Sequence, residues 1–277
     1  MSGTLYLVPT PIGNLGDISR RCAETLAAAD FIAAEDTRVS LKLLNHLEIK
    51  KPLVSYHEHN KKESGPRIVE RLLAGESCAL VTDAGCPAIS DPGEDLVRLC
   101  AEADVPVCAI PGPCAAVTAL SVSALPTGRF AFEGFLPAQK KERRQRLEEL
   151  RTEGRTMILY EAPHRLRDTL QELLDAFGPE RRISLCRELT KLHEQVLRTT
   201  LEEAVAHYAE NEPRGEFVLV LEGKAPQTQE ITPEDAVGLV RKLTEGGMRT
   251  KDAVRQVAEQ TGVSKNALYA AVVGASS

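Results

Sequence analysis

Short apolar runs alternate with amphipathic segments along the first half of this chain, and that alternation constrains the fold more than any other feature. Leu5–Val8, Phe31–Ala34, Leu53–Ser55, Cys78–Val81 and Val107–Ile110 read as strands. Ser19–Ala29, Gly65–Ala74, Asp95–Ala103 and Cys114–Ala124 read as helices, with Ser19 as an N-cap and Ile68, Val69, Leu72 and Leu73 on one side of the second. Strands interleaved with helices of this length predict a mainly parallel sheet covered on both faces. Residues 1–125 are expected to form an N-terminal α/β domain.

The pattern changes at Leu125–Leu136, which Pro126, Gly128 and Gly134 punctuate and where Phe130, Phe132 and Phe135 mark a new strand. A charged segment, Gln139–Glu153, follows. Thr156–Tyr160, Ile183–Glu188, Val196–Thr200 and Phe217–Glu222 then read as strands, and Leu166–Phe177 and Leu201–Glu210 as helices. This is a second α/β domain, residues 126–225. Ile183–Glu188 and Val196–Thr200 are too close for a helical crossover, so they are expected to pair antiparallel. Lys224–Glu230 reads as a linker. Beyond it the pattern is helical only, over Pro233–Glu245, Lys251–Gln260 and Lys265–Val273. Thr250 and Ser264 stand at N-cap positions and Gly262 at the end of the middle helix, giving a small module at 226–277.

Composition narrows the function by exclusion. None of the apolar stretches in the 277 residues approaches the ~20 needed to cross a bilayer. The opening MSGTLYLVPTPIGN lacks a charged n-region and meets prolines at once, unlike a signal peptide. Seven cysteines, an odd number with no Cys-x-x-Cys pair, fit neither a zinc ribbon nor a secreted disulfide framework. They fit small buried side chains in a reducing compartment, so a cytoplasmic location is expected. A net charge of −6 argues against wholesale coating of nucleic acid, though not against local basic patches. With 4% aromatic residues and no Trp, a stacking platform for single strands is not evident.

Three Gly/Pro-rich loops each follow a different strand. Pro9–Asp17 (PTPIGNLGD) follows the first and matches neither the dinucleotide fingerprint nor the P-loop. Asp83–Gly93 (DAGCPAISDPG) packs two glycines, two prolines and two aspartates into eleven residues. Its plain alternative is a tight connection with Asp91 as a helix N-cap. Pro111-Gly112-Pro113 leads into the small-residue start of a helix, Cys114-Ala115-Ala116. Loops at the carboxyl ends of strands are where open α/β sheets bind ligands, and three converging there outweigh any one of them.

These segments, LVPTPIGNLGDIS, LVTDAGCPAISDPG and PGPCAAVTAL, resemble the tetrapyrrole methylase family of S-adenosylmethionine-dependent methyltransferases. AAEDTR (33–38), SYHEHN (55–60), LYEAPHRL (159–166) and RGEFVLV (214–220) resemble the branch of that family that acts on ribosomal RNA. The resemblance runs from about residue 5 to 222 and includes the helical tail. It implies two α/β domains with S-adenosyl-L-methionine in the cleft between them, usually in a homodimer. It also implies 2′-O-methylation of a cytidine ribose in the decoding region of 16S rRNA, within the 30S subunit. The implied cofactor-binding positions are Pro9, Asp83, Ala84, Gly85, Cys86, Ile89, Cys114, Ala115, Glu161 and Leu189. Glu161 and Leu189 stand where porphyrin-modifying relatives have Met and Gly.

Methyl transfer from a sulfonium is an in-line displacement that needs no metal and is mostly positioning. A ribose hydroxyl is a weak nucleophile, which a general base or an orienting cation would help. Candidates are Glu35, Asp36, Arg38 and Glu161, with His57, Glu58, His59 and His164 behind them. RNA contact is expected at Arg38 and His57 and on Gln139–Arg155, where seven basic residues face four acidic ones and Lys140, Lys141, Arg143 and Arg144 cluster. Thr250–Val273 resembles a helix-turn-helix extension whose Lys251, Arg255 and Lys265 would meet phosphates. Two rival readings are a family enzyme methylating a porphyrinoid or other small molecule, and a non-catalytic ribosome-assembly factor that keeps the pocket.

Overall fold

A computed structural model of the chain describes residues 2–225 and 233–274, so most of the expected linker at Lys224–Glu230 lies outside the described residues. The chain forms two compact units, Met1–Lys224 and Ala225–Ser277.

The first unit holds two five-stranded sheets. In one, β1 (Leu5–Leu7), β2 (Phe31–Ala34), β3 (Leu53–Ser55), β4 (Cys78–Val81) and β5 (Val107–Ala109) run parallel in the order β3-β2-β4-β1-β5. Four helices cover it: α1 (Arg20–Ala28), α2 (Thr37–His46), α3 (Lys61–Leu73) and α4 (Glu94–Glu102). The two-residue repeat of a strand sorts its side chains between the faces. Leu5, Phe31, Ala33 and Leu80 pack with Ile68 and Leu72 of α3 and Leu96 of α4. Ile32, Ala34, Ala79 and Val81 pack with Leu26 of α1 and Leu44 of α2. The chain therefore leaves β1 toward one face and β4 toward the other. Because β1 and β4 are neighbours, the topological switch point lies between their carboxyl ends.

Local chemistry sets the helix ends. Ser19 caps α1 as expected, its Oγ accepting the Cys22 N–H at 3.1 Å. The helix α2 is absent from the sequence-based expectation; it opens at Asp36, whose carboxylate accepts the Arg38 N–H at 2.8 Å. The α3 helix starts four residues earlier than Gly65 and carries Pro66 inside it. The Asn60 side chain anchors that extra turn, accepting the His57 N–H at 2.8 Å and donating to the Ser55 carbonyl at 3.1 Å.

The second sheet contains β6 (Phe130–Phe135), β7 (Thr156–Glu161), β8 (Arg182–Arg187), β9 (Gln195–Thr200) and β10 (Phe217–Leu221), ordered β6-β7-β10-β8-β9. Only β6 and β7 are parallel; β8 and β9 pair antiparallel, as their spacing predicts. On one face, α6 (Lys140–Leu150), α7 (Leu166–Phe177) and α8 (Leu201–Glu210) share a core with Met157, Leu159 and Leu219. On the other lies α5 (Ala115–Val122), whose Ala116, Ala119 and Leu120 pack on Ile158, Val218 and Val220. The last helix of the N-terminal half thus belongs to the core of the C-terminal sheet.

In the second unit, α9 (Pro233–Glu245), α10 (Thr250–Thr261) and α11 (Lys265–Gly274) enclose Ala236, Val240, Val254, Val257 and Leu268. Gly262 ends α10 in the left-handed region at φ +73°. The N-cap of α10 is Arg249 in extended conformation, so Thr250 is the first helical residue and not the cap expected from its side chain. Among the described residues, no helix is long and apolar enough to cross a membrane.

Candidate functional site

A cavity of about 470 Å³ lies where the loops after β1, β2 and β4 meet the second sheet, within the size range of small-molecule sites. Backbone pairing joins two of those loops at the switch point. Thr10 N–H donates to Gly85 O at 2.9 Å, Gly85 N–H returns to Thr10 O at 3.0 Å, and Thr10 Oγ1 donates to Thr82 O at 3.0 Å. Gly85 holds φ +86°, and a Cβ there would meet Ile12 Cγ2 at 3.4 Å, so glycine keeps the cavity floor open. Further along, Ala88 and Ser90 both sit at φ +66°. Such conformations cost on the order of 1–3 kcal/mol each and persist where the surrounding structure imposes them. Here the Ala88 N–H bonds to Pro92 O and the Ile89 N–H to Cys86 O.

The sequence-derived cofactor positions converge on this cavity. Asp83, Ala84, Gly85, Cys86 and Ile89 line it from the β4 loop, and Cys114 and Ala115 from the start of α5. Glu161 and Leu189 line it from the second sheet. Pro9 does not. It lines a separate apolar recess with Leu7, Pro87 and Val97, and packs where a Cβ on Gly112 would fall. Sequence reasoning missed Ile12, Asp91, Tyr160, Lys191 and Glu216 on the cavity wall. Asp91 has the sequence setting of a helix cap, but Gly93 occupies that position. The alternation of β7 is the available sign for Tyr160, which shares the face of Ile158.

The direction of two side chains corrects the expectations for them. Glu161 touches the cavity, yet it follows Met157 and Leu159 in the alternation of β7 and sends its carboxylate to the helix-covered face. There it accepts the Ala162 N–H at 2.9 Å and the Thr169 hydroxyl, and lies 3.6 Å from Arg143 Nη2 and 3.7 Å from Arg165 Nε. A carboxylate so engaged is not the general base expected from the sequence. Arg143, expected in an RNA-facing patch, is 5% exposed and bonded to Thr169 at 2.5 Å and to Glu172, because its position on α6 faces α7. Its neighbours Lys140, Lys141 and Arg144 do face solvent.

Carboxylates gather at the mouth beneath β2 and β4. Thr82, 2% exposed, donates its hydroxyl to Glu35 Oε2 at 2.7 Å, and the Asp36 N–H donates to Asp83 Oδ1 at 3.1 Å. Burial, then the charge of Glu35, raises Asp83 above the usual carboxylate range. Asp91 is pushed up to about 6 by burial and by Glu35, against a hydrogen bond to Thr82 that lowers it. Across the cavity, Cys86 Sγ donates to Pro113 O at 3.2 Å. Beside Cys86, and facing the Val117 and Ala116 N–H groups at the start of α5, the Cys114 thiol is held below its ordinary range against the burial that would raise it.

The other candidates lie away from the cavity. Asp36 stands outside the cavity lining, tied to it by its N–H bond to Asp83, and its carboxyl is held down to about 2 by the exposed Arg38 guanidinium, which bonds it at 2.6 and 3.0 Å. His57 is half-buried and off the cavity wall, while Glu58, His59 and His164 are exposed. In the second unit Lys251, Arg255 and Lys265 are exposed, and Arg255 pairs with Asp252 at 3.3 Å.

A parallel sheet with its switch point at this cavity, joined to a mixed second sheet, defines a class. The family described as tetrapyrrole (corrin/porphyrin) methylases matches residues 4–205, and the chain belongs to it. A second family, the RsmI C-terminal HTH domain, matches residues 230–275. The chain is similar to ribosomal RNA small subunit methyltransferase I of Halalkalibacterium halodurans, 51% identical over 274 residues that cover 96% of this chain and 93% of the relative. It is also similar to the protein of that name from Escherichia coli O157:H7, 46% identical over 96% of this chain and 93% of the relative. Among solved structures it resembles uroporphyrin-III C-methyl transferase from Thermus thermophilus complexed with S-adenyl homocysteine. There the TM-score is 0.55 at 21% identity, over 79% of this chain and 97% of that one.

Proposed function

We propose that the protein is an S-adenosylmethionine-dependent methyltransferase of 16S rRNA, and that its acceptor is the 2′-oxygen of a cytidine ribose in the decoding region. The single observation that carries the reading is the convergence of the implied cofactor positions on one cavity at the switch point, in a chain 46–51% identical to relatives named for ribosomal RNA methylation. The reading extends to action as a homodimer, in the cytoplasm, on RNA assembled in the 30S subunit. Residues 1–125 and 126–225 serve as its two lobes, with α5 of the first packed on the sheet of the second.

The residues present fit the cofactor. Gly85 leaves a cradle that a side chain would fill, and Ile12, Ile89 and Leu189 supply apolar wall for an adenosine. Asp83 and Asp91 face the cavity as partners for a cationic ligand. When bound, S-adenosylmethionine supplies a methyl group on a sulfonium leaving group. The chain's own residues then have to orient the acceptor oxygen and exclude competing water, which is catalysis by positioning. Exposed Lys140, Lys141 and Arg144 on α6, Arg38 beside Asp36, and Lys251, Arg255 and Lys265 in the helical unit are proposed phosphate contacts.

The test is transfer of labelled methyl from S-adenosylmethionine to 30S subunits that lack the modification. Label in 16S rRNA supports the reading. Cofactor binding without label in RNA overturns it in favour of a small-molecule acceptor or a non-catalytic factor.

A further inference from the structure

Phe135 lines the cavity and is 53% exposed, although Gly134 and Leu136 on either side of it are buried. A β-bulge puts it there. The ladder between β6 and β7 pairs Phe132 with Ile158 and then Gly134 with Leu159, so Glu133 is the extra residue. An unbroken alternation would send Phe135 to the face that α6 and α7 cover. Glu133 goes there instead, its carboxylate bonded to Arg146 at 2.5 Å, and Phe135 comes opposite Tyr160 on the cavity side. Gly134 makes the bulge at φ +60°, and a Cβ on it would meet Ser90 Oγ at 3.2 Å, so the bulged strand lies against the β4 loop. The ring itself is braced. Tyr160 packs against it with centroids 5.6 Å apart and planes at 65°, and Phe132 holds Tyr160 in the same edge-on way at 5.1 Å. Beyond it, Leu136 is anchored in the core and its carbonyl accepts Arg165 Nη2 at 3.1 Å.

We propose that Phe135 stacks on the base of the acceptor nucleotide and so holds the ribose in line with the methyl donor. This rests on the RNA-methylation reading above. A hydroxyl can be aligned for displacement only if the nucleotide that carries it is held, and a base drawn out of its own stack needs a replacement surface. Aromatic side chains supply that surface wherever unstacked RNA bases are recognised. The apolar walls at Leu189 and Val218, 6% and 7% exposed, belong to the end of the cavity formed by β8 and β10. The sheet order places β6 three strand spacings from β8, about 14 Å away, which leaves its exposed ring for the acceptor. From Phe135 the chain reaches Lys140, the first residue of α6, in five residues, at most about 18 Å. The stacked base and the proposed phosphate contacts at Lys140, Lys141 and Arg144 therefore fall on one stretch of bound strand. Every base has a π-face, so Phe135 grips the acceptor base without selecting cytidine.

The experiment compares wild type with Phe135→Ala, Phe135→Leu and Phe135→Tyr. It measures cofactor affinity by calorimetry, oligomeric state by sedimentation, and kcat and KM for methyl transfer to 30S subunits that lack the modification. Phe135→Ala is expected to lose roughly 10- to 100-fold in kcat/KM, the loss that removing one base–aromatic stack produces, with cofactor affinity and oligomeric state unchanged. Phe135→Tyr keeps the flat ring and should stay within about threefold of wild type. Phe135→Leu keeps apolar bulk without the ring and should be as deficient as the alanine variant. An alanine variant within about threefold of wild type, or a tyrosine variant no more active than the leucine one, overturns the assignment. Loss of cofactor affinity by about tenfold in Phe135→Ala would put the ring against the cofactor instead, and a changed oligomeric state would make it a contact between copies; either overturns it. Wild type that transfers no methyl to RNA overturns the substrate reading, and the assignment with it.

Discussion

Glu161 and Arg143 lie 3.6 Å apart with side chains only 1% and 6% exposed, on the opposite side of β7 from the cavity. They tie β7 to α6, while Thr169 and Arg165 bind the same carboxylate from α7 and the turn before it. Removing one member leaves an uncompensated charge in the interior, which costs about 3–5 kcal/mol. Glu161→Ala should therefore lower thermal stability sharply. Cofactor affinity in the folded fraction should stay near wild type. A Glu161→Ala protein with unchanged melting temperature and abolished methyl transfer would restore Glu161 as a direct participant.

At Gly85 the expected effect falls on the ligand. Valine there places a branched side chain at φ +86° and against Ile12. Cofactor affinity should drop roughly tenfold or more, on top of a stability loss of about 1–3 kcal/mol for the strained backbone. Calorimetric titration of the folded variant measures it, and an unchanged dissociation constant would remove the β4 loop from the cofactor site.

The basic face of α6 separates by exposure. Replacing Lys140, Lys141 and Arg144 with Ala should weaken binding to 30S subunits and flatten its salt dependence, by up to about one unit of slope for each phosphate no longer neutralised. Cofactor affinity should not change. A slope equal to wild type would place the RNA contacts elsewhere.

Asp91 also links stability to pH. Its folded-state titration lies near 6, above the ordinary aspartate value of 3.8, so its contribution favours the fold below about pH 4 and is lost as pH rises through 6. Asp91→Asn removes that loss. The variant should gain stability relative to wild type between pH 4 and 7, by about 1–2 kcal/mol once solvent screening of a half-buried group is allowed for. Melting curves across that range test the sign; a variant less stable than wild type at pH 7 would contradict it.

Deleting residues 226–277 should leave a folded core, because Met1–Lys224 is compact by itself and contains the whole cavity. Cofactor binding should survive while transfer to 30S subunits falls. Full activity of the truncated protein would make the helical unit dispensable.

Strand positions and the parallel or antiparallel sense of their pairing are legible because they rest on local patterns. The apolar runs at Phe31–Ala34 and Cys78–Val81 announce buried parallel strands, and the short spacing between β8 and β9 admits only antiparallel pairing. The α2 helix escapes a sequence reading because its N-cap, Asp36, lies in a charged segment that also suggests chemistry. The cofactor loops are legible since glycine and proline mark irregular backbone wherever it occurs. What single residues do within the cavity is less so. The facing of Glu161 depends on the pleat of β7, and the burial of Arg143 on which side of α6 meets α7; neither can be read from charge spacing alone. Asp91 is obscured because an aspartate before Pro-Gly looks like a helix cap until the backbone shows Gly93 there.

The central claim is chemical, and locating the transferred methyl tests it most directly. Labelled 16S rRNA from 30S subunits treated with this protein and S-adenosylmethionine is digested to nucleosides and the label assigned. The account predicts label on the 2′-oxygen of cytidine. Label on a base, or transfer only to a small molecule while 30S subunits stay unlabelled, would contradict it.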